Sequence, residues 1–316
     1  MKLIVGTRGS DLALAQTDSI INLVLDKFPD LKIEKKIIKT KGDKILDKSL
    51  DKIGDKGLFV SEIEKELLDG KIDFAVHSLK DMPTRISPGL KLTKTPARQD
   101  PRDVLVINPK YNIRPENVKD WLESSKALKI GTGSKRRASQ LLRINKSIQP
   151  MMIRGNIGTR IKKLQSQDLD AVILAAAGIK RLGMDDISVY YFSYEEMVPA
   201  CGQGALAIEV RSNDKEIDKI FDFLADKQAC IEIAAERTFL EVINGGCHLP
   251  VGSIVKKNGD KLLLMGMYGN EDSSLIVYGE LDFKPNLDSA KKAGQDLARY
   301  LIDKLEGQNQ WHKTEK

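Results

Sequence analysis

Apolar positions recur at two spacings along the chain, and their alternation predicts strands interleaved with helices. Residues 3–5 are a short apolar run closed by Gly6, the pattern of a buried strand. Leu14, Ile21, Leu25 and Phe28 then recur at helical spacing, which predicts a helix over 11–28 with Ser10 as its N-cap and Pro29 as its stop. Residues 32–40 set Ile33, Ile37 and Ile38 among charges and predict a second strand. A helix is expected over 60–68, capped by Ser61, and a buried strand over 72–76. A second unit repeats the theme. Strands are expected at 104–107, 127–130, 151–153 and 171–175, with helices starting near Lys135 and just beyond Arg160. Residues 198–210 read as one glycine-hinged strand returning to the first unit. Helices near 214–225 and 229–242 precede strands at 251–255, 262–268 and 275–281. Asn258-Gly259 marks a hairpin between the first two of these. A helix over 288–305 closes the chain, and the tail after Gly307 is expected to fray.

This order argues for α/β sheets with mostly parallel strands. Ligands gather at the carboxyl ends of such strands, which places Lys80 and Asp81 where chemistry is expected. Two stretches break the pattern. Residues 41–56 are dense in charge and glycine; a mobile loop and a solvated linker both fit. Residues 96–101 (PARQDP) are a candidate hinge.

Composition narrows the function. The 316 residues, 41% apolar and 30% charged, are enough for two or three globular domains. Aromatics at 5% argue against base-stacking surfaces. The net charge of +6 is modest, so the placement of the arginines matters more than their sum. Cys201, Cys230 and Cys247 are odd in number and lack CxxC spacing, and His77, His248 and His312 are dispersed. Neither a disulfide framework nor a metal site is indicated. The N-terminus lacks the apolar core of a signal peptide, and no apolar run reaches about 18 residues. A reducing cytoplasm is the expected compartment, with no membrane partner.

Three junctions carry the candidate chemistry: VGTRGS (5–10), IGTGSKRR (130–137) and IRGNIGTR (153–160). Each is a strand end, then glycines, then a helix start with arginine. The likeness of the first two suggests duplicated domains. A helix N-terminus disfavours cations, so Lys135, Arg136 and Arg137 in a first turn cost local stability. Amides and guanidinia aimed at one spot make an anion site. No arginine-rich recognition helix, Walker sequence or GxGxxG is present, so neither DNA nor a nucleotide is indicated. Carboxylates on a small molecule fit best. Asp81 is then anomalous among cations. It either stabilises a cationic group and moves a proton, or forms a structural ion pair. In NGGCHLP (244–250), two glycines permit a tight turn that exposes Cys247, although a small packed thiol fits the same stretch.

Ten segments together resemble the porphobilinogen deaminase, or hydroxymethylbilane synthase, family. They are TRGSDLALAQ (7–16), KGLFVSEIE (56–64), DFAVHSLKDMPT (73–84), DPRD (100–103), GTGSKRRASQL (131–141), RGNIGTR (154–160), DAVILAAAGIKRLG (170–183), GQGALAIE (202–209), AAERTFL (234–240) and GGCHLPVG (245–252). The resemblance implies two α/β domains like those of periplasmic binding proteins, with the chain crossing out and back, plus a small α+β C-terminal domain. The implied divisions are 1–98 with 200–222, 99–199, and 223–316. It implies a dipyrromethane cofactor joined by a thioether to Cys247. Four porphobilinogen molecules are condensed head to tail onto it with loss of ammonia, and hydrolysis releases the linear tetrapyrrole 1-hydroxymethylbilane for heme biosynthesis. Asp81 matches the catalytic aspartate. Lys80, Asp81, Ser134, Arg136, Arg137 and Arg160 match cofactor-binding positions; Arg8, Ser10, Arg154 and Gln203 match substrate-binding positions, with Lys52 and Lys56 in an active-site loop. A monomer is implied. Many members have GTSS where this chain has Gly131-Thr132-Gly133-Ser134, so one hydroxyl contact is missing. Cys201, beside the GQG motif, reads as buried and structural. The competing expectation is a non-catalytic carboxylate-binding protein on the same scaffold.

Overall fold

The computed structural model describes residues 1–40, 42, 60–184, 186–244 and 249–314, with side chains to residue 308. The charged stretch holding Lys52 and Lys56, and the turn holding Cys247, lie outside the described residues. The chain divides into two compact units, residues 1–99 with 203–233, and residues 100–202 with 234–316.

The first unit is built on strands β1 (Lys2–Thr7), β2 (Lys32–Ile37), β3 (Phe74–Ser78), β4 (Leu90–Leu92) and β10 (Leu206–Arg211), in the order β2-β1-β3-β10-β4. β1, β2 and β3 are parallel, and the returning β10 runs antiparallel to β3 and β4. Helix α1 (Asp11–Lys27) turns Ile20, Ile21 and Val24 onto Leu3, Val5, Phe74 and Ile208. Burying each such side chain contributes about 1.5–3 kcal/mol. Ser10 caps α1 as its sequence predicts, accepting from the Ala13 amide at 3.3 Å. Helix α2 (Ser61–Leu68) covers the other face with Ile63 and Leu67.

The second unit repeats this plan. Its sheet, β7-β6-β8-β5-β9, comprises β5 (Asp103–Ile107), β6 (Lys129–Gly131), β7 (Gln149–Met151), β8 (Ala171–Ala175) and β9 (Val189–Tyr191). β6 is parallel to β7 and β8, while β5 is antiparallel to β8 and β9. Helices α3 (Val118–Ser124), α4 (Lys135–Ile144), α5 (Ile157–Ser166) and α6 (Ala176–Arg181) accompany these strands, followed by α7 (Lys215–Ile220) in the first unit and α8 (Lys227–Ile243). A meander of β11 (Val251–Asn258), β12 (Lys261–Gly269) and β13 (Ile276–Phe283) packs with α9 (Leu287–Thr314). The fold is therefore two sheet-and-helix units, the second including a small α+β portion. Among the described residues no helix is long and apolar enough to cross a membrane.

Several expectations shift. The strands are mostly parallel as expected, four of five running one way in each sheet, but one strand in each, β10 and β5, returns against its neighbours. β3 starts two residues late: the Asp73 carboxylate takes the Ile4 amide at 2.7 Å, and pairing with β1 begins at Val5 with Phe74. Ser61 is the first residue of α2, not its cap; buried Val60 precedes the helix without a side-chain cap, and the Ser61 hydroxyl bonds Glu62. Residues 198–210 are not one strand. Gly202 and Gly204 take φ of 73° and 88°, so the chain turns before β10 starts. α9 continues past Gly307, where fraying was expected, with Leu301 and Leu305 prolonging its buried stripe.

Candidate active site

In the first unit the site grows from the carboxyl end of β3. A single 3-10 turn, Leu79–Asp81, follows the strand. Its flanks are anchored: buried Leu79 gives its amide to the Ala205 carbonyl, and buried Met82 gives its own to the Leu79 carbonyl, both at 3.1 Å. Lys80 and Asp81, between these anchors, project outward. Lys80 is half-buried and its Nζ donates to Gln203 Oε1 at 3.1 Å. Gln203, itself buried, is gripped through its carbonyl by Arg98 Nε at 2.9 Å. Asp81 is exposed, and among the described residues no side chain bonds or pairs with it. Among the described residues the alternative of a structural ion pair is therefore not formed. Arg8, half-buried, follows β1, the strand beside β3.

In the second unit the junctions after β6 and β7 behave differently. Ser134 precedes α4 as Ser10 precedes α1, yet its hydroxyl makes no cap bond. Arg136 and Arg137, in the first turn of α4, are both buried on Asp103, the first residue of β5. Arg136 Nη1 reaches Asp103 Oδ2 at 2.6 Å and the Val198 carbonyl at 2.7 Å. Arg137 engages all three of its nitrogens: Nε and Nη2 on Asp103 Oδ1 at 3.0 and 2.6 Å, and Nη1 on the Ile173 carbonyl at 3.0 Å. Burial lowers the Arg137 guanidinium, and Asp103 raises it again. The cations that looked misplaced at a helix start are thus held by a buried acid. Arg154 lies half-buried before α5 and gives its carbonyl to Lys163 Nζ at 3.1 Å. Arg160, inside α5, folds back onto the Gly155 carbonyl at 2.9 Å.

Asp103 was missed in the sequence. Asp103 closes the DPRD segment and heads the apolar run 104–107, but nothing local pairs it with residues more than thirty positions away. Gln140 was missed too; its side chain accepts the Val198 amide at 2.8 Å and steadies the segment that also holds Arg136. Cys201 is buried as expected. Ser253 donates to its Sγ at 3.0 Å, and burial pushes the thiol up to about 12. The missing hydroxyl at Gly133 has a steric counterpart: a Cβ there would lie 2.9 Å from the Ile153 carbonyl oxygen.

A family model described as porphobilinogen deaminase, dipyromethane cofactor binding domain, matches residues 3–219, and one for the porphobilinogen deaminase C-terminal domain matches residues 230–303. The chain belongs to the porphobilinogen deaminase family. A porphobilinogen deaminase of Clostridioides difficile is 45% identical, covering 97% of this chain and 99% of that protein. One from Clostridium novyi is 44% identical over 96% and 100%, and one from Syntrophomonas wolfei is 43% identical over 94% of each. These relatives leave the non-catalytic carboxylate binder without support. The cofactor that the matching family model names is a dipyrromethane, whose carboxylate side chains call for cationic and hydroxyl donors of the kind each unit carries.

Proposed function

We propose that this chain is a hydroxymethylbilane synthase that condenses four porphobilinogen molecules head to tail, releases one ammonia for each, and hydrolyses the product to 1-hydroxymethylbilane for heme and related tetrapyrroles. The observation that carries the reading is Asp81, an exposed carboxylate without a partner among the described residues, on a turn pinned at both flanks. Such a carboxylate can accept a pyrrole N–H and stabilise the cation left on the substrate as ammonia departs. Lys80, oriented by Gln203, binds an acidic side chain next to it. Arg8, Ser10, Arg154 and Gln203, with Lys52 and Lys56, are assigned to substrate. Ser134, Arg136 and Arg160 are assigned to cofactor. Arg137 is assigned to the cofactor with them, and the buried Asp103 that holds Arg136 and Arg137 orients both. The dipyrromethane, tethered by Cys247, supplies the carbon nucleophile that begins the chain. We assign the divisions 1–98 with 200–222, 99–199 and 223–316 as the three working domains, and a cytoplasmic monomer without nucleic-acid or membrane partners.

Intact-mass measurement tests the reading. Purified protein should exceed its sequence mass by one dipyrromethane, and Cys247→Ser should remove the excess. Asp81→Ala should keep the excess and lose turnover. An active protein with the mass of the bare chain would overturn the proposal.

A further inference from the structure

One cluster of buried titratable groups has no part in the assignments above. His77 on β3 places Nε2 3.1 Å from Oε2 of Glu209 on β10, with the two side chains 5% and 0% exposed. Glu64 on α2 is buried as well, and Ser87 Oγ donates to its Oε2 at 2.8 Å. The other oxygen of each carboxylate, Glu64 Oε1 and Glu209 Oε1, is buried without a hydrogen-bond partner. The elements bearing these groups otherwise bury Ile63, Leu67, Ala75 and Ala207.

One buried carboxylate pairs with the imidazole, and a second lies within electrostatic reach of both. Even a charged His77 would leave one negative charge uncompensated in an apolar setting, which is strongly unfavourable. A single proton resolves both problems. On Glu64 Oε1 it cancels the surplus charge and makes a donor of one orphaned oxygen, while Glu209 Oε1 remains as its acceptor. The electrostatics agree in direction. Burial is the largest influence raising the Glu64 carboxyl; Ser87 opposes it, the Glu209 charge adds to it, and His77 opposes it. The charged groups bearing on Glu64 are thus Glu209 and His77. On its own helix Lys65 is exposed and Glu66 is paired with Lys36, and on β4 Lys91 is paired with Asp218.

We propose that Glu64 holds a proton in the folded protein and directs it at Glu209, directly or across one water, so that a chain Ser87–Glu64–Glu209–His77 clamps helix α2 to the strand that delivers Lys80 and Asp81. Glu64 and Glu209 are then positioning residues, because β3 runs from His77 straight into the turn Leu79–Asp81. The link to Asp81 rests on the proposed function; the proton does not.

The test compares holoenzyme with Glu64→Gln, a neutral mimic of the protonated acid, and with Glu64→Ala. The infrared carbonyl band of a protonated carboxylic acid should appear in the native protein and vanish in Glu64→Gln. A carboxyl raised by folding contributes stability at low pH that is lost as pH rises, so the wild-type melting temperature should fall relative to Glu64→Gln as pH rises above 4.5, the ordinary value of the carboxyl. Glu64→Gln should keep kcat within about twofold, while Glu64→Ala should lose about tenfold in kcat with KM little changed. No band difference, or parallel melting profiles, would overturn the proton. A Glu64→Ala enzyme with wild-type kcat, or a Glu64→Gln enzyme as impaired as Glu64→Ala, would overturn the positioning role. Failure of the proposed function would show instead as absent turnover in the wild type, with the infrared and thermal results standing.

Discussion

At the turn Leu79–Asp81 a carboxylate stands exposed and, among the described residues, unpartnered, whereas at the start of α4 two guanidinia are buried on one aspartate. Both regions are strand-to-helix junctions rich in charge, yet they use it in opposite ways. A buried ion is tolerable only when paired and hydrogen-bonded, so Asp103, Arg136 and Arg137 satisfy one another and form part of the framework. An exposed carboxylate remains solvated and free to respond to a charge that arrives with substrate. The comparison teaches that charge density alone does not single out a candidate reacting group; what sets Asp81 apart is a charge left unpaired, among the described residues, on a pinned turn.

The contrast can be broken at several points. The largest effect is expected from Asp81→Ala, which should lower kcat by about 10²- to 10⁴-fold while leaving the melting temperature nearly unchanged. Steady-state assays beside thermal melts would show it, and a large stability loss would make Asp81 a framework residue after all. Asp103→Asn should do the reverse. Leaving two buried guanidinia undercompensated should cost about 3–5 kcal/mol of stability in denaturant unfolding. Gly252→Ala presses on the same region. Its Cβ would fall 2.5 Å from the Pro199 carbonyl oxygen and 2.8 Å from Arg136 Cδ, so a loss of about 1–3 kcal/mol is expected in the same unfolding measurement. Ser10→Ala removes the helix cap of the first unit and should cost about 1 kcal/mol; Ser134→Ala, with no cap bond to lose, should cost less.

The smallest effect concerns Cys201. Its thiol, pushed up to about 12 by burial, should resist alkylation in native protein at about pH 8 and react once unfolded, as mass mapping would reveal. The sign follows from its ordinary value of 9.0: the buried thiol is favoured while protonated, so its contribution is present below that value and is lost as pH rises toward about 12. Cys201→Ala should flatten that alkaline decline.

Much of this was legible in the chain. The apolar spacing of Leu14, Ile21 and Leu25 located α1, and the run AVILA coincided with β8, because each is a periodicity that burial imposes on nearby residues. The order of apolar runs also put Lys80 and Asp81 beyond the carboxyl end of a buried strand, where they lie after β3. What failed was non-local. The carbonyls of Val198 and Ile173 that complete Arg136 and Arg137 are brought in by the fold, and no short-range pattern announces them.

By itself, then, the sequence determined the kind of protein: alternating elements, arginine junctions, an acid after a buried strand, and family motifs along nearly the whole chain. Only the tertiary structure decided which charges are available. It left Asp81 open, joined Arg136 and Arg137 to Asp103, and gathered Glu64, Glu209 and His77 from three elements into one buried cluster. The reason is physical. Local pattern reports how each segment meets water, whereas pairing depends on which distant segments exclude it together.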